Sequence, residues 1–449
     1  MRELPFFPNR LVPPNHFVGR ETDVQIAFEC ISSRDPDHPA HMAIWGGPGV
    51  GKSSFLKYLA ASECWEKYGQ DLSKAIIVYL DCVDIRPFIP SNFWRQLLNI
   101  LRNKLENSTT LQSEVNLLLE KEEVKHNDLE EILQKIGEQN QFLVLLLDNY
   151  DTAFHSHEHY TEADLYDFLF HCRYLAYSSE QSKYLSMIVT SSRRLNEIGP
   201  KLTLVKSPWY NHYLFYLLKP FTDHKVDELL GSIPITPALK EGMREIADGN
   251  PSLLQNALYH LYSKLKSGQI PEPETFANEF WSANKHFFQM SWELLNELEQ
   301  TLLMLIALSG LKGRLHNQNF DIGGIENIFT QHTNTLNNLE ERGIIRVIID
   351  EGKKDKKVYS FASSLMEWWV INEILNSNEE EIKNREKAFL KIMSRRQVDK
   401  LTGSIRWLWQ RREVPINVME YLGKLAVAVT KPAIQEVIQG LTDWSNKEE

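Results

Sequence analysis

Five short apolar runs punctuate the first half of the chain. They fall at 42–45 (Met-Ala-Ile-Trp), 76–80 (Ile-Ile-Val-Tyr-Leu), 142–147 (Phe-Leu-Val-Leu-Leu-Leu), 185–189 (Leu-Ser-Met-Ile-Val) and 213–218 (Tyr-Leu-Phe-Tyr-Leu-Leu). Runs this uniformly apolar suit strands buried on both faces of a parallel sheet, and Pro220 stops the last of them. Helical stretches separate them, so the expected fold is α/β, a parallel five-stranded sheet in a three-layer arrangement. The second half changes period. An amphipathic helix is expected over 292–308, shorter helices over 324–329 and 332–342, then two strands at 344–349 and 357–361 joined by a polar turn; helices followed by such a hairpin read as a winged helix. From 378 a charged helix opens, and 395–441 reads as helical, with Trp407, Leu408 and Trp409 close together.

The chemistry sits at the ends of the first-half runs. Directly after the first stands Gly46-Gly47-Pro48-Gly49-Val50-Gly51-Lys52-Ser53, leading into the helix-like Ser53-Ser54-Phe55-Leu56-Lys57. This is a complete phosphate-binding loop. Its glycines let consecutive backbone N–H groups turn inward around a phosphate, and the helix N-terminus adds its positive dipole end. Lys52 reaches the β/γ oxygens and Ser53 holds Mg²⁺. The third run ends in Asp148, the expected second oxygen donor to Mg²⁺, at the edge of the sheet where ligands bind. The fourth run ends in Thr190-Ser191-Ser192-Arg193-Arg194, hydroxyls and arginines placed to sense a γ-phosphate.

The extra strand at 76–81, between the Lys-bearing and Asp-bearing ones in sequence, places the chain with P-loop proteins in which a glutamate beside the metal acid polarises the attacking water. Here that neighbour is Asn149. An amide cannot accept a proton as a general base, so the expectation is slow hydrolysis, with Asp151 as a substitute carboxylate.

Composition narrows the class. The chain has 449 residues, a prior for about three domains. It has no signal-peptide stretch and no apolar run near the roughly 18 residues of a membrane span, so a cytoplasmic protein without a membrane partner is expected. The four cysteines fall singly and read as reduced core thiols. A formal charge of −11 argues against nucleic acid as the main partner. The candidate reader helix 333–342 agrees, its polar face carrying Glu340, Glu341 and a single base, Arg342, although Lys353, Lys354, Lys356 and Lys357 of the turn can touch a phosphate backbone. His155, His157 and His159 lie between the third run and the capping-box start at Thr161, which makes the stretch a loop rather than a zinc site.

Taken in order, Phe17-Val18-Gly19-Arg20-Glu21, the phosphate loop, the Leu-Leu-Leu-Asp strand, the Val-Thr-Ser-Ser-Arg strand and Gly249-Asn250-Pro251 followed by Leu253-Leu254 form a series. That series resembles the STAND family of signal-transduction ATPases, relatives of the AAA+ and origin-recognition ATPases, and covers about residues 6 to 375. The resemblance implies that Val18 and Arg20 line an adenine pocket, that ATP or ADP is the nucleotide, that Arg193 reads the γ-phosphate and that Pro251 packs on the base from a helical lid. Two departures stand out: Asn149 in place of the acid, and Phe361-Ala362-Ser363-Ser364-Leu365 without the histidine that many members place there, leaving Ser363 or Ser364 for the role.

The domains then read as 1–220, a nucleotide-binding domain with an N-terminal leader; 221–285, a helical lid; 286–375, a winged helix; and 376–449, a helical C-terminal extension. The expected function is an ATP-binding regulatory switch with slow or partner-stimulated ATPase activity. It would control a separately encoded effector or sensor, form a homo-oligomer on ATP binding, and by family analogy act in a prokaryotic defence system. Two alternatives stay open: a DNA-loaded ATPase of origin-recognition or transposition-regulator type, and a scaffold subunit that binds nucleotide without turnover.

Overall fold

The computed structural model describes residues 6–8, 10–32, 41–105, 109–201, 208–231, 236–266, 273–310, 324–350, 356–376 and 378–410. These divide into two compact units: described residues within 10–47 and 51–218 form one, and those within 1–9, 48–50 and 219–449 form the other.

The first unit is built on five strands: β1 (His41–Trp45), β2 (Ala75–Asp81), β3 (Phe142–Asp148), β4 (Leu185–Ser191) and β5 (Leu214–Leu217). They run parallel in the order β2-β3-β4-β1-β5. The strand separating β1 from β3 in the sheet is therefore β4; β2, which lies between them in sequence, takes the edge. Alternation puts Leu143, Leu145 and Leu147 of β3 into a core shared with helices Pro90–Lys104, His126–Glu138 and Glu162–Arg173. Val144 and Leu146, equally buried, face the opposite side. Helices Glu21–Ser32 and Lys52–Leu59 pack against β1, β3 and β4 and bury Phe28, Ile31, Phe55 and Leu59. Both faces are covered, which is why the strand sequences carry no polar alternation. Cys30, Cys64, Cys82 and Cys172 are buried free thiols.

The second unit has one continuous apolar core running from helix Asp223–Gly231 to helix Arg395–Gln410. The long helix expected over 292–308 is two helices, Pro273–Glu293 and Glu297–Gly310. The break has a local cause. Asn296 Oδ1 accepts from Glu299 N at 2.9 Å while Glu299 Oε2 accepts from Asn296 N at 2.8 Å, a reciprocal cap that starts a new helix. Helices Ile325–Gln331 and Thr333–Glu341 follow, then an antiparallel hairpin of β6 (Ile345–Asp350) and β7 (Lys356–Phe361) with Ile345 opposite Phe361, then helix Ser364–Leu375. This is the element order read as a winged helix. Asn378 and Glu381 form a capping box that opens the charged helix Glu379–Ile392. The turn carrying Lys353 and Lys354, and the part of the helical stretch expected over 395–441 that follows residue 410, lie outside the described residues.

The Gly-Asn-Pro turn belongs to this unit. Gly249 adopts φ +74°, and a Cβ there would stand 2.1 Å from Phe221 O, so only glycine fits. Asn250 Oδ1 then accepts from Ser252 N and Leu253 N, capping helix Pro251–Lys266 with proline in its first turn. Residues 48–50 sit in the same unit: Asn250 Nδ2 donates to Pro48 O and Ser252 N to Gly49 O, each at 3.1 Å. No helix among the described residues is long and apolar enough to cross a membrane.

Candidate functional site

The carboxyl ends of β1, β2, β3 and β4 are in register: Asp81 pairs with Asp148, Leu147 with Val189, and Trp45 with Ser191. Every polar strand-end residue of the sequence reading therefore arrives at one edge of the sheet, where open α/β sheets bind ligands.

Gly46 and Gly47 leave β1, and Gly49 and Gly51 take φ of +70° and +99°, left-handed conformations that reverse the chain into helix Lys52–Leu59. Lys52 Nζ donates to Gly46 O at 2.7 Å and Gly47 O at 3.2 Å, folding back across the loop. Burial lowers its pKa, opposed by Asp151 and then Asp148. Ser53 begins the helix beside it. Ser54 Oγ accepts from Val12 N at 3.2 Å, tying the leader to the loop helix.

Asp148 is 1% exposed and held on all sides. Its Oδ1 accepts from Thr190 Oγ1 at 2.5 Å and from Asn149 N at 3.1 Å; its Oδ2 accepts from Tyr79 OH at 3.0 Å. Asn149 N also donates to Thr190 Oγ1 at 3.0 Å. Thr190 thus fixes Asp148 and the backbone next to it. Oδ2 keeps a lone pair, and together with the Ser53 hydroxyl it offers the hard oxygen donors that Mg²⁺ prefers, so this donor set fits the ion.

Asp151, the substitute base of the sequence reading, is engaged: its Oδ2 accepts from Ser192 N at 2.9 Å and from Ser192 Oγ at 2.5 Å. Arg193 pairs with Glu197 at 3.1 Å. The neighbouring Arg194 guanidinium lies over the Trp45 and Phe215 rings, 5.5 and 5.7 Å from their centroids.

At the leader, Arg20 is buried against Asp23, whose Oδ1 also accepts from Tyr216 OH. Burial lowers the arginine's pKa, with Asp23 acting the other way. Phe17 stacks on Tyr58 with centroids 4.3 Å apart, and Val18 is exposed. Pro251 belongs to the other unit. Ser363, offered above for the missing histidine, is buried there, donating to Ile246 O at 2.7 Å while its Oγ accepts from Met366 N as a helix cap.

Three residues escaped the sequence reading. Tyr79 and Asp81 of β2 and Lys57 of the loop helix gather at Asp148. Asn149 Nδ2 donates to Asp81 Oδ1 at 3.0 Å, Lys57 Nζ lies 3.4 Å from the Tyr79 centroid, and burial lowers the Lys57 pKa against Asp148, Asp81 and Asp84. The available signal was the shared ending Leu-Asp of the second and third apolar runs. In the histidine loop, His157 Nε2 contacts Phe88 O at 3.0 Å and the main chain of His157 bridges to Tyr160.

Among solved structures, a Walker-type ATPase of Pyrococcus abyssi is similar at 16% identity, covering 82% of this chain and 99% of its own, with a TM-score of 0.52. The Aeropyrum pernix ORC2 protein, solved as ADPNP-ADP complexes, is 13% identical over 91% of this chain and 97% of that one, TM-score 0.45. The Aeropyrum pernix ORC1 protein in complex with DNA is 11% identical over 80% and 93%, TM-score 0.38. No protein-family model and no curated protein matches the sequence. The chain shares the fold of the Pyrococcus abyssi protein, a five-stranded parallel α/β sheet, and carries a phosphate loop and an acid-tipped strand at one end of it.

Proposed function

We propose that this chain is an ATP-binding regulatory switch of STAND-like type, with low intrinsic ATPase activity, that controls a separate effector or sensor protein. The observation that carries it is the tip of β3. The loop and Asp148 offer what a Mg²⁺-nucleotide needs, yet the residue beside Asp148 is an amide committed to Asp81, and Asp151 is bound twice by Ser192. A site equipped to hold a triphosphate and without a free carboxylate at its proton-accepting position favours occupancy over turnover, which suits a timer better than a motor. When bound, Mg²⁺ would neutralise phosphate charge between Ser53 and Asp148. This chain's own residues do the rest: Lys52 meets the β/γ oxygens, Thr190 holds Asp148 in place, and Arg193 reads the terminal phosphate once it exchanges Glu197 for it.

The DNA-loaded alternative is disfavoured by one specific contact. Arg342, the only base on the polar face of helix Thr333–Glu341 and its cap, is buried against Glu299 at 2.8 Å and cannot reach a phosphate without breaking that pair. A role in prokaryotic defence rests on the family resemblance alone.

The test is the nucleotide content and oligomeric mass of wild type and Lys52→Ala after ATP and, separately, ADP. Assembly or a shape change requiring both ATP and Lys52 supports the switch. Bound nucleotide with no response to phosphate number refutes it in favour of a scaffold, and tight, steeply salt-dependent binding to duplex DNA refutes it in favour of the DNA-loaded enzyme.

A further inference from the structure

The tip of the sheet carries a second acid that the nucleotide chemistry does not require. Asp81 ends edge strand β2 directly opposite Asp148, and its Oδ1 accepts from Asn149 Nδ2 at 3.0 Å and from Val83 N at 3.0 Å. An ionised carboxylate only accepts hydrogen bonds, so the Asn149 amide can face it only through its NH₂ group. The carboxamide is thereby fixed in one of its two flips, with its carbonyl Oδ1 turned away from Asp81. The backbone is fixed too. Asn149 sits at φ +49°, a left-handed conformation that asparagine tolerates better than most residues, and its N–H is shared between Asp148 and Thr190.

We infer that Asp81 is the positioning residue for Asn149, and that the two form an acid–amide pair in which the acid stands on β2 and the amide on β3. This deepens the reading given above and rests on it. The consequence for the reaction is specific. The β3 tip presents a carbonyl that accepts a hydrogen bond from a water and orients it, but cannot take its proton. Among the described residues the carboxylate that receives the side chain is one strand away and already occupied by two donors. The pairing also explains why a carboxylate at 149 would fail alone. Asn149→Asp is isosteric, so it sets a second carboxylate oxygen about 3.0 Å from Asp81 Oδ1, beside Asp148. Like charges at that separation repel one another, which costs stability and turns the new carboxylate away from the place where the amide is held.

The pair is tested by a cycle of four full-length proteins: wild type, Asp81→Asn, Asn149→Asp and the exchange Asp81→Asn/Asn149→Asp. Each is measured for ATP affinity by calorimetry, for steady-state kcat and KM, and for melting temperature. Asn149→Asp is expected to melt lower than wild type and to turn over no faster. The exchange turns an amide NH₂ from position 81 towards a carboxylate at 149 and leaves Val83 N without its acceptor, so it should melt above Asn149→Asp but below wild type and raise kcat on the order of 10²-fold, the scale of a general base, with KM unchanged. A purely packing role for Asp81 would not make the gain at 149 depend on the residue at 81.

Asn149→Asp as fast as the exchange would overturn the inference. So would an exchange that melts no higher than Asn149→Asp, or one that regains stability without gaining turnover. Failure of wild type to bind ATP would instead defeat the functional reading, and the melting temperatures would still decide whether 81 and 149 are coupled.

Discussion

Lys52 and Asp148 can be found by reading alone, because loop spacing and an acid after an apolar run are local patterns; their neighbours cannot. That Asp81 meets Asn149, or that Thr190 holds Asp148, follows from strand order and register, which bring together residues 68 and 42 positions apart. Two expectations belong at this scale. Lys52→Ala should weaken ATP binding on the order of 10²-fold, the loss of a charge-assisted contact to phosphate, read by calorimetry. The second concerns His212, which burial, aided by His41 and Arg173, holds well below the ordinary imidazole value of 6.5. His41 beside it accepts from Met187 N on Nδ1 and faces Ala176 O with Nε2. Below pH 6.5 the unfolded chain takes up a proton that folded His212 refuses, so the stability present above that pH is lost as pH falls. The melting temperature should drop between pH 7 and 5, and His212→Phe should make that slope shallower.

Elements of the sheet were legible because a parallel strand covered on both faces is written as an unbroken apolar run, and the five expected runs agree with β1 to β5 to within a few residues. The helix over 292–308 was misread because its apolar period continues through Leu294 and Leu295, while the cap that divides it is a two-residue exchange between Asn296 and Glu299. Glu299 does double duty, capping with Oε2 and receiving Arg342 on Oε1, both side chains 4% exposed or less. Arg342→Ala leaves a buried carboxylate uncompensated. It should therefore destabilise the chain by about 3–5 kcal/mol, measured by urea denaturation, whereas loss of an exposed pair such as Lys391 with Glu297 should cost under about 1 kcal/mol.

For the whole molecule, two cores rather than one set the behaviour. Hydrophobic residues of the sheet unit and of the helical unit form separate clusters, each large enough to unfold as its own cooperative body. Scanning calorimetry should resolve two transitions. Mg²⁺-ATP at about 100 times its dissociation constant should stabilise the nucleotide-bound state by roughly 2.7 kcal/mol, and a 10²-fold weaker Lys52→Ala should keep only about 0.4 kcal/mol of that shift at the same concentration. The membership of the leader was not legible: Phe6 precedes the sheet in sequence yet packs into the helical core, and Phe7 N bonds within the same unit.

That membership sets a clock on synthesis. The Phe6 ring packs 5.5 Å from that of Tyr262, and Phe7 N donates to Gln255 across 248 positions. At about 5–20 residues per second, a ribosome needs roughly 12 to 50 s after Phe7 to add Gln255. The sheet has ample time to form in between. A newborn chain therefore carries the Phe6 ring uncovered while its sheet unit is being made, because the core that covers that ring is drawn from residues synthesised after it.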